Sequence, residues 1–125
     1  MKQELPYNRP ERVGQQLLHI LGDTTTRNID LSHLGFITFT RIIVSPDLKY
    51  AKVFFSVLAP KGDIEQVTIG LNQLRKAFRK YVGQQLRIKN TPELRFYFDE
   101  SSRISDRIEQ IIHHIHQQDD RDSEY

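Results

Sequence analysis

The chain has 125 residues, 38% of them hydrophobic, enough for one domain with a single core but not for two. Zero cysteines exclude a disulfide framework and thiolate metal sites, and fit a reducing compartment. The net charge of +2 hides an asymmetry: residues 1–98 carry 15 Lys and Arg against 8 Asp and Glu, while residues 99–125 carry 3 against 8. A basic body is joined to an acidic tail.

Acids and amides interrupt the apolar positions at the N-terminus, so no signal-peptide core is present, and no window approaches the ~20 apolar residues of a membrane span. A soluble, cytoplasmic chain without membrane contact is expected. Asn8 followed by Glu11 forms an N-cap and capping-box pair with Pro10 in the first turn. Val13, Leu17, Leu18, Ile20 and Leu21 continue an apolar stripe, which predicts a helix from about Arg9 to Leu21 stopped by Gly22. FITFTRIIV, Phe36 to Val44, is β-branched and aromatic without a breaker and predicts a strand. Ser45-Pro46-Asp47 is turn chemistry, and AKVFFSVL, Ala51 to Leu58, predicts the second strand of an antiparallel hairpin.

The stretch from Gln66 to Pro92 contains no Asp or Glu but carries Arg75, Lys76, Arg79, Lys80, Arg87 and Lys89. Ile64, Val67, Leu71, Leu74, Phe78 and Tyr81 or Val82 recur at helical spacing, so one face packs on a core while the cations crowd the other side, with Asp63 as N-cap. Arg75/Arg79 and Lys76/Lys80 are like-charge pairs at i, i+4, each unfavourable by a few tenths of a kcal/mol in an isolated helix. A solvated basic face is the commonest account of such a run. Here the lack of any compensating carboxylate makes the six residues the candidate nucleic-acid-binding set. Gly83 predicts a bend, with Gln84–Lys89 as a further bent helical piece.

Pro92 forces an extended entry to ELRFYF, Glu93 to Phe98, a third strand. Ser101 or Ser102 can cap a last helix with Ile104, Ile108, Ile111, Ile112 and Ile115 on one stripe. The expected organisation is a domain over residues 1–116 and a disordered acidic tail over 117–125. The fold class is α+β, in the order helix, strand, strand, helix with a bend, strand, with an appended C-terminal helix and the helices on one face of a small sheet.

No catalytic or metal site is expected. His113, His114 and His116 diverge around a helix and have no cysteine beside them, and their place near a helix end suits its dipole. Ser45 and Asp47 are explained by turn formation, and Asp119, Asp120 and Asp122 lack the glycine and terminal glutamate of a calcium loop. Phe36, Phe39, Phe54, Phe55, Phe96 and Phe98 could stack on bases, but alternation sends about half of them to the core.

This order, the block ITFTRIIVSPDLKYAKVFFSVL (Ile37–Leu58) and the block RIKNTPELRFYFDES (Arg87–Ser101) resemble the ribosome-binding factor A family over about Arg9 to Ile115. The family's hairpin serine, aspartate and alanine match Ser45, Asp47 and Ala51, and its Pro-Glu-Leu and following aspartate match Pro92, Glu93, Leu94 and Asp99. The resemblance implies a type II KH-like fold and a monomeric, non-enzymatic assembly factor without cofactor or small-molecule substrate. It would bind the free small ribosomal subunit and its rRNA, promote late rRNA maturation and matter most in the cold. The family lacks the Gly-x-x-Gly loop of ordinary KH domains and usually places an Ala-x-Gly kink there, which aligns with Leu74-Arg75-Lys76. That substitution predicts a straighter helix here, with the bend moved to Gly83. Two alternatives stay open: a general single-strand RNA or DNA chaperone, for which Phe54 or Phe96 would matter more than Arg79, and a protein-interaction adaptor using the C-terminal helix.

Overall fold

The computed structural model describes residues 8–101, in the order α1 (Arg9–Arg27), β1 (Phe36–Val44), β2 (Tyr50–Leu58), α2 (Ile64–Gln73), α3 (Arg75–Gln85) and β3 (Glu93–Phe98). The sheet runs β1-β2-β3, with β1 antiparallel to β2 and β3 parallel to β2. A parallel neighbour needs a crossover, and α2 with α3 supplies it. The α+β arrangement expected from the sequence is the one observed, with the six described elements in the expected order.

Period-2 alternation divides the strands between two surroundings. Ala51, Val53, Phe55 and Val57 of β2 and Leu94 and Phe96 of β3 are buried, and they meet Leu17, Leu21, Val67, Leu71, Phe78 and Val82 from the helices. Rings fill the centre, with Phe39 edge-on to Phe78 at 6.0 Å and Phe78 against Phe96 at 5.2 Å. The Ser45-Pro46-Asp47 turn forms as expected. The Ser45 hydroxyl donates to Asp47 Oδ1 (2.6 Å), which also accepts from the Lys49 amide (3.1 Å). Gly35 is required by its surroundings: its φ is +125° and a Cβ would stand 2.9 Å from the Ala59 carbonyl oxygen and the Pro60 Cα.

Three boundaries differ from the sequence expectation. Helix α1 does not stop at Leu21 but continues to Arg27. Thr24 and Thr26 donate their hydroxyls to the carbonyls of Ile20 and Gly22 one turn back, at 2.8 and 3.1 Å, Asp23 pairs with Arg27 at 3.1 Å, and Thr24 is wholly buried. Tertiary packing thus carries the helix through Gly22 and a threonine run of poor propensity.

The long basic helix is two helices. It breaks at Leu74, whose φ of −97° and ψ of 4° lie in the bridge region and whose amide reaches back to Leu71 O at 3.0 Å. Asn72 lies just before the break and clamps β3: its Oδ1 accepts from the Phe96 amide and its Nδ2 donates to the Phe96 carbonyl, both at 3.0 Å. Gly83 is no bend, since it lies inside α3, and Gln84–Lys89 is no further helix. Leu86 closes α3 in an extended conformation (φ −85°, ψ 117°) because its side chain is buried in the core.

After the end of β3 the Asp99 carboxylate accepts from both the amide and the hydroxyl of Ser101. The expected C-terminal helix with its Ile104–Ile115 stripe and its Ser101 or Ser102 cap, the three C-terminal histidines and aspartates and the tail over 117–125 fall in a region outside the described residues, which end at Ser101.

Candidate nucleic-acid interface

The break at Leu74 separates two helix starts of opposite character. α2 begins with a full capping box, the Asp63 carboxylate accepting from Gln66 N at 2.8 Å and the Gln66 side chain accepting from Asp63 N at 3.1 Å. α3 begins at once with Arg75 and Lys76, with no side-chain cap and no acid in its first turn. Uncapped amides, the positive end of the helix dipole and two cations therefore coincide at one place. Placing cations there disfavours the isolated helix, and an anion relieves the conflict.

That start faces β3 across a cleft of about 230 Å³, lined by Arg75, Lys76 and Arg79 on one side and Glu93, Leu94 and Arg95 on the other. Arg75 and Arg95 also line an adjoining hollow floored by Phe96 and flanked by Ile69, Asn72 and Tyr97. The Arg75 guanidinium donates to Asn72 O at 3.4 Å, a long contact that still directs it to the junction. Arg79 Nε and Nη2 both donate to Thr91 O, at 3.2 and 2.8 Å, so this side chain also ties the loop before β3 to α3.

The structure does not gather all six predicted residues. All are exposed, and none pairs with a carboxylate among the described residues, where the ion pairs are Arg27–Asp23 and Arg41–Asp99. Arg75, Lys76 and Arg79 share the cleft; Lys80 is elsewhere on α3 and Lys89 is in the following loop. Arg87 lies on a separate hollow between α1 and the end of α3, beside His19 and Gln85. Among the described residues no cluster of His, Asp and Glu is arranged to hold a metal ion, and no helix is long and apolar enough to cross a membrane.

The sequence model of ribosome-binding factor A matches residues 9–112, more than four-fifths of the chain. The chain belongs to the ribosome-binding factor A family. Its fold is similar to that of a solution structure of a Thermotoga maritima protein, itself a candidate ribosome-binding factor A, at 28% identity and a TM-score of 0.58 over 75% of this chain and 90% of that one. Ribosome-binding factor A from Thermus thermophilus, in a crystal structure, matches at 18% identity with a TM-score of 0.62, over 73% and 96% of the two chains. A homology model of the Thermus thermophilus factor, fitted into a cryo-electron microscopy map of its complex with the 30S subunit, matches at 17% and 0.60, over 74% and 97%.

Within this chain, the expectation of a straightened helix at Leu74-Arg75-Lys76 is overturned. The chain breaks there without a glycine, because Leu74 occupies a conformation that needs no positive φ. Sequence reasoning also missed Arg95. Alternation in ELRFYF separates it from buried Leu94 and Phe96, and that signal, set beside the basic helix, could have found it.

On the sheet's outer face the Arg41 guanidinium sits 4.0 Å over the Phe54 ring, and Phe54 packs against Tyr97 at 5.8 Å. Arg41 follows the extra residue of a β-bulge: Phe39 pairs with Phe55 and Arg41 with Phe54, leaving Thr40 between them. The Thr40 hydroxyl donates to Asp99 Oδ2 at 2.7 Å, and Arg41 Nε stands 3.9 Å from the same oxygen. Hydrogen bonds from Ser101 and Thr40, with the charge of Arg41, hold the Asp99 carboxyl below its ordinary value despite its burial. Phe96 is buried and cannot serve as a stacking platform; Phe54, half-buried, lies on the outer face.

Proposed function

We propose that this chain is a non-enzymatic assembly factor that binds the free small ribosomal subunit through its rRNA, acts as a monomer in the cytoplasm and promotes late rRNA maturation, above all in the cold. The observation that carries the reading is the cleft between α3 and β3, where an uncapped helix start, Arg75, Lys76, Arg79 and Arg95 meet one carboxylate, Glu93. Family membership and the fold shared with a factor fitted on the 30S subunit support it.

Arg75, Lys76, Arg79 and Arg95 would hold backbone phosphates in the cleft, with Lys80, Arg87 and Lys89 adding attraction around it. Neutralising phosphates releases counterions, so affinity falls steeply with salt. The deep, narrow major groove of an RNA duplex keeps side chains from its base edges, and discrimination would come from the shape of folded rRNA. Binding, and not bond-making, is the mechanism: the factor holds immature rRNA in one arrangement while slow alternatives resolve.

The test is co-sedimentation with purified free small subunits and with joined ribosomes at several salt concentrations. The reading expects pelleting with free subunits, little with joined ribosomes and a steep decline with salt. Equal pelleting with both, or no pelleting with either, contradicts it.

A further inference from the structure

Glu93 is the side chain of the cleft whose charge opposes the proposed ligand. Arg75, Lys76 and Arg79 form the α3 wall, and Glu93, Leu94 and Arg95 form the β3 wall. A carboxylate set where phosphates are held repels them and offsets part of the attraction of the cations around it. Its presence there needs a reason of its own.

The fold fixes its place. The Glu93 amide donates to the Lys49 carbonyl at 2.8 Å, and the residue opens β3 opposite Tyr50 in the parallel register. Leu94 next to it is 2% exposed and anchors the strand in the core, whereas Glu93 and Arg95 are both exposed. Alternation puts these two on one side of β3, two residues or ~7 Å apart. The simplest account is that Glu93 damps repulsion among the four cations of the empty cleft. A carboxylate serving that end would pair with one of them, and it does not: the ion pairs among the described residues are Arg27–Asp23 and Arg41–Asp99. Arg79 instead donates twice to the Thr91 carbonyl, and Arg75 turns back to the Asn72 carbonyl.

We infer that Glu93 is a specificity-determining residue, which accepts a hydrogen bond from the 2′-hydroxyl of a ribose whose phosphates lie on the cations of the cleft, an assignment that rests on reading the cleft as a phosphate site. Chemistry narrows the choice of donor. An ionised carboxylate can only accept. Phosphate oxygens also only accept, and deoxyribose within a strand carries no hydroxyl. The 2′-hydroxyl is therefore the donor that a nucleic-acid backbone offers, and it is the group by which a protein tells RNA from DNA at a given site. A hydrogen bond to an ionised acceptor is also roughly twice as strong as one between neutral groups. Against DNA the same carboxylate meets phosphates with no donor in return, so one residue favours the right partner and disfavours the wrong one. Cations alone would take either nucleic acid, since counterion release is blind to the sugar.

Single-stranded oligouridylate and oligodeoxyuridylate of equal length carry the same base and differ in the 2′-hydroxyl. Their affinities for the full-length chain, at one low salt concentration, are compared with those for Glu93→Ala and Glu93→Gln. The unaltered chain should prefer the RNA. Glu93→Ala should tighten DNA binding severalfold by removing repulsion, yet fail to tighten RNA binding, so that the preference shrinks about tenfold, the scale of one hydrogen bond to a charged group. Glu93→Gln, which keeps an acceptor and loses the charge, should retain a preference between those two. Both changes are at an exposed position, and unchanged melting temperatures would confirm that the fold is kept. Equal tightening of both oligomers by Glu93→Ala would mean repulsion alone and overturns the inference, as does a preference that neither variant alters. An unaltered chain that binds both oligomers alike overturns it too, while leaving the cleft as a phosphate site. Binding to neither oligomer removes the phosphate site and the inference together.

Discussion

The two faces of the sheet are built from the same nine residues of β2 and obey opposite rules. Toward the helices, Ala51, Val53, Phe55 and Val57 are buried; toward the other side, Lys52, Phe54, Ser56 and Leu58 alternate with them beside cations and rings. Alternation says which side chains share a face. Which face is covered depends on where the crossover between β2 and β3 places α2 and α3, and that is a property of the whole chain. The inner face owes its stability to dense packing, whereas the outer face is organised by a bulge, a carboxylate and a guanidinium over a ring.

The sharpest way to break this comparison is to empty one position of the inner face. Phe96→Ala should destabilise the fold by ~3–5 kcal/mol, the range for a phenylalanine removed from a close-packed core. Denaturant melts of that variant and of Lys52→Ala, which changes the outer face in the same region, should differ by at least ~2 kcal/mol in loss of stability. Similar losses would show that the faces are not energetically distinct.

Next comes Asp99, the keystone of the outer face. Asp99→Ala leaves the Ser101 amide and hydroxyl without their acceptor and the Thr40 hydroxyl with only the Phe54 carbonyl, at 3.3 Å, and should cost ~1–3 kcal/mol. Because this carboxyl is held below its ordinary 3.8 in the fold, its contribution is present above that pH and is lost as the pH falls below it. Asp47, depressed by its hydrogen bonds from Ser45 and Lys49, follows the same sign. Melting temperatures followed into acid should therefore fall less steeply for Asp99→Asn than for the unaltered chain; parallel curves would refute the assignment.

Gly83 gives the smallest effect. As an interior residue of α3, Gly83→Ala should gain up to ~1 kcal/mol from reduced unfolded-state freedom. The new Cβ would stand 3.0 Å from Thr91 Oγ1, so the gain should be larger in a Thr91→Ala background. A loss greater than ~1 kcal/mol in both backgrounds would restore the bend that the sequence suggested.

What the sequence showed and what it hid divide along a physical line. Phe36–Val44, Asp63 as a cap, the Ser45–Asp47 turn and Glu93–Phe98 were legible because each depends on residues within a few positions of itself. The break at Leu74 was not. Leu-Arg-Lys is a good helix-forming run, and Asn72 before it is held by the Phe96 backbone, 24 residues away. The extension of α1 likewise follows from burial of Thr24, which no local pattern announces.

The basic stretch was visible at once, but its division was not: only the fold separates Arg75, Lys76 and Arg79 in the cleft from Lys80, Arg87 and Lys89 outside it, and brings Arg95 to join the first group. The proposed acidic tail admits its own modest check. Removing residues 117–125 should leave the melting temperature nearly unchanged and tighten nonspecific RNA binding slightly at low salt; a large fall in melting temperature would make the tail part of the fold.

The measurement that tests the central claim most directly is the salt dependence of small-subunit binding for two charge-matched variants. One carries Arg75→Gln, Lys76→Gln and Arg95→Gln in the cleft; the other carries Lys80→Gln, Arg87→Gln and Lys89→Gln outside it. Both keep Arg79, so the loop anchor at Thr91 is intact. The cleft variant should lose more affinity at every salt concentration and flatten the slope of log K against log salt by roughly two, from about 0.7 per lost phosphate contact. The other should change the slope by less than half as much. Equal effects, or a larger effect from the residues outside the cleft, would contradict the assignment of the cleft as the RNA-binding site.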